Sequence, residues 1–174
     1  MPSGKVHDRI TAVGAVLALP IWWYFTPAPQ EATVGGALVA ATLFSGWFLS
    51  PDLDLNSSIY KRWGPFRFLW YPYQKIVPHR SWISHSWFLS PLLRVGYLLG
   101  MTWLLALITL WGAHQASGRG PQAPDRTPLT LVQDLYHQYP QATLMAVIGL
   151  IFGTVLHSGA DTLYSMRNVR KKRH

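Results

Sequence analysis

Four long apolar runs constrain the fold of this chain of 174 residues more than any other feature. A helix needs roughly 20 apolar residues to cross a bilayer, and each run is close to that length. Charged residues make up 13% of the chain, whereas an average soluble domain carries about 25%. The sequence therefore predicts an all-α fold, an integral membrane bundle of about four transmembrane helices in a single membrane domain, residues 1–174. The expected helices cover about residues 10–26, 33–50, 84–112 and 141–158.

The distribution of lysine and arginine predicts how these helices are oriented. All of these residues except Arg94, Arg119 and Arg126 lie near the N-terminus, within residues 51–83, or in the basic tail at 165–174. Cytoplasmic segments carry an excess of such residues. We therefore expect a multi-pass protein of the cell membrane with both termini cytoplasmic. A long cytoplasmic loop at 51–83 would join helices 2 and 3, and an outer loop would cover 113–140. The net charge of +8 then reflects orientation in an anionic membrane, and no nucleic-acid partner is expected.

Both long connections have a recognisable composition. The inner one alternates aromatic and basic residues, which is typical of a segment in the lipid headgroup region. In the outer one, residues from Leu129 to Tyr139 are predicted to form a short interfacial helix. The first apolar run has an alternative interpretation as a cleaved signal peptide, because Lys5 and Arg9 precede it. The bulk of Trp22 near its end argues against cleavage there.

Metal-binding residue types gather at the predicted cytoplasmic ends of the helices. The chain has no cysteine, so any ligands must be nitrogen or oxygen atoms. These residues occur as four pairs, namely His7 with Asp8, Asp52 with Asp54, His79 with His85, and His157 with Asp161. Any one pair alone is also explained by helix capping or an Asp-rich turn. Their convergence from four distant segments predicts a metal site. The expected ligands are His7, Asp52, Asp54, His79, His85, His157 and Asp161, and Asp8 adjoins the first of them.

The spacing within the pairs indicates how they would act. His157 and Asp161 are four residues apart, so both lie on one face of a continuous helix. Asp52 and Asp54 follow a proline in a turn, where two carboxylates can hold one cation or bridge two.

The segment from His79 to His85 is the most informative stretch. On a continuous helix the two imidazoles would point about 120° apart, so His79 is expected in the loop and His85 in the first helical turn. Arg80 beside them carries a forked donor suited to phosphate or carboxylate. Arg94, inside the third apolar run, is costly in lipid unless it is paired.

The order of these motifs resembles a known pattern. It resembles bacterial and cyanobacterial metal-binding integral membrane proteins of unknown function, whose N-terminus reads like Pro2-Ser3-Gly4-Lys5-Val6-His7-Asp8-Arg9-Ile10-Thr11. Pro51-Asp52-Leu53-Asp54, and His79-Arg80 with His85-Ser86, are similar to the PDxD and HRxxxxHS motifs of YdjM-type predicted membrane-bound metal-dependent hydrolases. The late His157 and Asp161 pair is more distantly similar to zinc-dependent phospholipase C and single-strand nucleases. The resemblance implies metal-dependent hydrolysis at a membrane.

These observations lead to three hypotheses for function. The donor set predicts a divalent transition metal, with one or two zinc ions the best fit and Mn²⁺ or Fe²⁺ also suited. The first hypothesis is hydrolysis of a phosphate ester or lipid headgroup at the cytoplasmic interface. Arg80 would hold the anionic group, and Asp8 or Asp54 would take the proton. The expected partners are membrane lipids and a phosphate-containing substrate. The second is a non-catalytic, metal-stabilised membrane or interaction protein. The third, a metal or proton transporter, is less favoured because carriers place their ligands near the bilayer midplane.

Overall fold

The computed structural model describes residues 4–25, 32–77, 86–117 and 127–171, and every regular element among them is helical. This confirms the all-α prediction. The α-helices are α1 (Gly4–Phe25), α2 (Ala32–Phe48), α3 (Ser58–Arg62), α4 (Tyr71–Ile76), α5 (Leu89–Ser117), α6 (Pro128–Gln138) and α7 (Pro140–Lys171). Two 3₁₀ helices, Pro51–Asp54 and Gly64–Trp70, lie between α2 and α4.

Three of the described segments are long and apolar enough to cross a membrane. They are Ala32–Asp54, Leu89–Ser117 and Pro140–Met166, which contain α2, α5 and most of α7. The expectation of about four crossings is therefore supported for three helices. The remaining long helix, α1, carries Lys5, Asp8 and Arg9 in its first two turns. The three spans indicate that the chain associates with a membrane.

Small residues allow α1, α2 and α7 to pack closely as a three-helix core. A Cβ atom on Gly149 would lie 2.5 Å from the carbonyl oxygen of Leu38, and one on Gly153 would lie 2.5 Å from that of Thr42. The backbones are so close that only the hydrogen atom of glycine fits at these two positions. Helix packing in a membrane depends on such close approach, because lipid offers no hydrophobic driving force between helices.

Buried hydroxyl groups add polar contacts to the same core. Ser45 Oγ donates to the carbonyl oxygen of Leu150 at 2.6 Å, and it lies 3.2 Å from Thr154 Oγ1. Both hydroxyl side chains are fully buried. These bonds link α2 to α7 at the level where the glycines pack, and they fix the two helices in one register.

The chain has short helices where a cytoplasmic loop was expected at 51–83. From Pro51 to Val77, the last residue described in this stretch, it forms the two 3₁₀ helices, α3 and α4. The segment folds because some of the aromatic residues that suggested a headgroup location are buried in a second core. Its buried members are Leu49, Leu53, Ile59, Leu69, Trp70 and Tyr73. Tyr97 of α5 closes this core by donating to the carbonyl oxygen of Leu69 at 2.5 Å.

The helix ends also differ from expectation. α1 begins at Gly4 rather than near residue 10, and α7 continues to Lys171 through most of the basic tail predicted at 165–174. The prediction rested on hydropathy, which detects only the apolar part of a helix. Polar residues extend both helices beyond that part. The outer loop at 113–140 is shortened because α5 runs to Ser117. The short helix expected within it is confirmed as α6, which begins with a capping box between Thr127 and Thr130.

Candidate metal centre

Two imidazoles and one carboxylate meet where α1 begins and α7 passes the end of α2. The ligand atoms of His7, His157 and Asp161 all lie within 4.8 Å of one another. Asp161 Oδ1 is 3.3 Å from His7 Nε2, and Asp161 Oδ2 is 3.6 Å from His157 Nε2. One carboxylate therefore presents an oxygen atom to each ring.

Helix geometry explains how α7 places His157 and Asp161 in the cluster. Gly149, Gly153, His157 and Asp161 recur every four residues, so they follow one face of the helix. The glycines press that face against α2. The next two turns then carry the imidazole and the carboxylate past the end of α2. His7 is the fourth residue of α1, and this helix packs beside both α2 and α7.

Several buried polar atoms of this cluster lack a hydrogen bond among the described residues, although carboxylate oxygens lie 3.3–3.6 Å from the Nε2 atoms of both rings. His7 is 5% exposed and His157 is 1% exposed, and their rings stack with centroids 4.0 Å apart. Within the described part of the chain, His7 Nδ1, both ring nitrogens of His157 and Asp161 Oδ1 make no hydrogen bond. An unsatisfied buried polar atom costs roughly 1–3 kcal/mol. A cation bound between the two imidazoles and the Asp161 carboxylate would give these atoms a partner at shorter range than the present contacts of 3.3–3.6 Å, so the donor set fits a metal.

The protonation state of His7 suits this role. Burial lowers the pKa of His7, and the neighbouring His157 ring lowers it further, while Asp161 and Asp52 act in the opposite direction. The imidazole is therefore held toward its neutral form, which is the form that binds metals. Two stacked rings 4.0 Å apart would repel each other if both were charged.

Asp52 approaches the cluster from the turn that follows α2. Its Oδ2 atom lies 3.4 Å from His157 Nε2. The side chains of Asp52 and Asp161 are each 25% exposed, whereas the side chain of His157 is 0% exposed. The site is therefore closed on the imidazole side and accessible on the carboxylate side.

Side chains from later elements donate to carbonyl oxygens at the end of α2 and to that of the residue that follows it, and so fix the turn that carries Asp52. Arg62 donates to Trp47 at 2.8 Å, the Trp63 indole to Phe48 at 3.0 Å, and Arg94 to Leu49 at 2.7 Å. Helix C-terminal carbonyls lack partners within the helix, and positive charge is favourable beside them.

The two predicted proton acceptors lie beside these arginines. Asp8 Oδ2 accepts from Arg62 at 2.7 Å. Asp54 is buried within electrostatic range of the Arg94 guanidinium. Neither carboxylate belongs to the group formed by His7, His157 and Asp161.

The remaining predicted site residues, His79, Arg80 and His85, lie outside the described residues. Their roles stay predictions.

Sequence reasoning missed the contribution of Arg62, Trp63 and Arg94. Arg94 is fully buried, donates to Ser90 Oγ as well as Leu49, and interacts with Tyr73. Its position inside an apolar run was the available signal, because a cation there requires partners. Arg62 lies among other basic and aromatic residues, so its sequence context gives no such signal.

Comparison with known proteins agrees with this geometry. The model of a family described as "Uncharacterized metal-binding protein (DUF2227)" matches residues 2–171. The chain belongs to this family. The DUF2227 match covers every residue of the cluster, which is consistent with metal binding there.

A curated relative matches a shorter part of the chain. An "Uncharacterized protein" of Aquifex aeolicus (strain VF5) is 44% identical over 57 residues, which are 32% of this chain. The match spans 40% of the relative's own length. No solved structure matches the chain.

Proposed function

We propose that this DUF2227 protein is a membrane-bound, metal-dependent hydrolase that cleaves a phosphate ester, with a lipid headgroup as the preferred substrate. One observation carries the proposal. Two buried imidazoles and the Asp161 carboxylate converge within 4.8 Å, while Asp52 and Asp161 keep one side of the site accessible. A structural metal site is usually closed by protein ligands, whereas a catalytic site keeps an open position. The similarity of the motifs to YdjM-type predicted hydrolases supports the same class.

The donor set favours zinc. Two imidazole nitrogens and a carboxylate form a common catalytic zinc set, and Mn²⁺ or Fe²⁺ are further candidates. A bound divalent ion would act as a Lewis acid on a phosphoryl oxygen and raise the acidity of a nearby water. One ion needs the three clustered residues, and a second would need ligands from Asp52 and from residues such as His79 and His85.

Residues of the chain would transfer the proton and hold the anionic group. A water oxygen forms a bond to phosphorus as the bond from phosphorus to the leaving oxygen breaks. Asp52 takes the water proton and returns it to the leaving oxygen, so the charges balance. The sequence suggested Asp8 or Asp54 for this step, but Asp52 lies nearer the cluster, with its Oδ2 atom 3.4 Å from His157 Nε2, whereas Asp8 accepts from Arg62. Arg80 remains the proposed holder of the anionic group.

The proposal is tested with purified protein in detergent or nanodiscs. Metal-loaded protein should hydrolyse at least one member of a panel of phospholipids and soluble phosphoesters, and chelation should abolish the activity. Asp52→Asn should lower kcat by roughly a hundredfold or more. The matched control is Asp134→Asn on α6, which should keep full activity. A fully metallated protein that leaves the whole panel intact would rule out the proposal.

A non-catalytic role is the second candidate, favoured by the burial of both imidazoles. The cluster joins α1 to α7, so a bound metal would clamp two helices of the core and add folding free energy. X-ray absorption spectroscopy separates the two functions. Four protein ligands with no water favour the clamp, and three protein ligands with a water favour the hydrolase.

We further propose that α1 also crosses the membrane, which places both termini in the cytoplasm. Its packing beside α2 and α7 supports a fourth span of similar depth. Because the chain has no cysteine, the single variants Lys5→Cys, Tyr164→Cys and Ser117→Cys can each be labelled alone. In oriented vesicles the first two should react from the cytoplasmic side and the third from the opposite side. Labelling of residues 5 and 164 from different sides would contradict this topology.

A further inference from the structure

We propose that the segment between α2 and α5 carries a docking surface for anionic phospholipid headgroups, a feature independent of the proposed hydrolase. The aromatic–basic surface, as we call it, consists of Phe66, Arg67, Phe68, Tyr71, Lys75 and Ile76. All six side chains are exposed, and they belong to the second 3₁₀ helix and α4.

The exposed apolar residues of this surface lie outside the second core, which is complete without them. Phe66 is 61% exposed, Phe68 53%, Tyr71 58% and Ile76 74%. Their sequence neighbours Leu69, Trp70 and Tyr73 are at most 4% exposed and form the second core. The segment therefore has a buried side already satisfied by packing and an outer side rich in large apolar groups. Large apolar side chains exposed this close together in sequence indicate a site of interaction.

Charge restricts the partner. No Asp or Glu occurs between Asp54 and Asp125 in the sequence. Arg67 and Lys75 form no ion pair with any described carboxylate, and Lys75 Nζ lies 5.5 Å above the Tyr71 ring. Cations that have no carboxylate partner among the described residues, interleaved with aromatic rings, complement a negatively charged surface that also accepts apolar groups. The headgroup layer of an anionic bilayer has both properties.

Connectivity places this surface at the membrane boundary. The candidate span Ala32–Asp54 ends directly before the segment, and the next candidate span begins at Leu89. The segment starts where the first span leaves the bilayer, and the hydrogen bond from Tyr97, which lies in the next span, to the Leu69 carbonyl oxygen keeps it beside that boundary. The bilayer is therefore the partner within reach of the aromatic–basic surface.

Two measurements test the surface. Spin labels at Phe66→Cys and Ile76→Cys, introduced singly into this cysteine-free chain, should be accessible to oxygen and shielded from a water-soluble nickel complex in vesicles containing phosphatidylglycerol. Native mass spectrometry should show weaker binding of phosphatidylglycerol to Arg67→Gln/Lys75→Gln, roughly fivefold for each cation removed. The matched control Arg119→Gln/Arg126→Gln removes the same charge elsewhere and should bind as the wild type does.

Three results would overturn the inference. The first is a pair of labels as accessible to the nickel complex as labels in bulk water. The second is equal loss of phosphatidylglycerol binding in both double variants. The third is a pair of labels shielded from both oxygen and nickel in purified, reconstituted protein, which would indicate a protein interface, such as one with a second copy. None of these readouts depends on hydrolytic activity.

Discussion

At the scale of single residues, Arg94 shows how this chain accommodates a charge within a candidate membrane span. The residue is 0% exposed. Its guanidinium donates to the Leu49 carbonyl oxygen at 2.7 Å and to Ser90 Oγ, and Asp54 lies within its electrostatic range. A buried cation is tolerated only with such partners. Arg94 therefore links α5 to the end of α2, directly before the turn that carries Asp52.

Replacement of Arg94 by methionine should be strongly destabilising. Arg94→Met leaves the Leu49 carbonyl and Asp54 without their cation, and breaking a buried charged contact typically costs about 3–5 kcal/mol. Unfolding by sodium dodecyl sulfate in mixed micelles measures the loss, and metal affinity should fall because the Asp52 turn is released.

Arg62→Met is the matched control for this substitution. Arg62 also caps a carbonyl of α2 and pairs with a carboxylate, but it is exposed, with 29% of its side-chain surface accessible. Its ion pair is expected to contribute at most about 1 kcal/mol. Equal destabilisation by both variants would contradict the special role of the buried arginine.

At the scale of elements, the contact between α2 and α7 both builds the core and positions the metal centre. Gly149 and Gly153 set the distance between the helices, and His157 and Asp161 continue the same helix face. A shift of α7 away from α2 would therefore move the imidazole and carboxylate from the Asp52 turn. Packing and metal affinity should change together.

Gly153→Ala tests this coupling. The added Cβ would meet the Thr42 carbonyl oxygen at 2.5 Å, so the helices must separate, at an expected cost of about 1–3 kcal/mol. Metal affinity should fall in parallel. Gly100→Ala on α5 is the control, because a Cβ there meets no atom within 4 Å. A Gly153→Ala protein with wild-type stability and metal affinity would contradict the account.

At the scale of the whole molecule, charge and helix periodicity predicted the all-α class and placed part of the candidate site at one end of the helices. The expectation that His7, Asp52, His157 and Asp161 would meet follows from the predicted helix ends together with the distribution of lysine and arginine, and the structure brings these four residues together. The arginine contacts depend on distant pairs, such as Arg94 with Leu49, 45 residues apart. Local sequence patterns carry no record of such pairs.

The short helices within 51–77 escaped prediction for a related reason. An aromatic and basic segment can lie on a membrane or build a core, and the choice depends on what packs against it. Here Tyr97 of α5 contacts the segment, and Trp70 within the segment is fully buried. The composition alone was compatible with both outcomes.

Metal removal should lower the stability of the whole bundle. A ligand that binds only the folded state stabilises it by about 2.7 kcal/mol at a hundred times its dissociation constant. Chelation should therefore lower the Tm of the purified protein by several degrees, and added zinc should restore it. His157→Ala should show no response to either treatment. A Tm that chelation leaves unchanged, although it strips bound metal, would separate metal binding from folding.

The most direct test of the metal centre is elemental analysis of purified protein by inductively coupled plasma mass spectrometry. Wild-type protein should carry a divalent transition metal near one or two equivalents, and His157→Ala should lose most of it. His137→Ala, which alters an exposed histidine on α6, should retain the wild-type content. If His157→Ala binds as much metal as the wild type, or if the wild type binds none, the cluster of His7, His157 and Asp161 is not a metal centre.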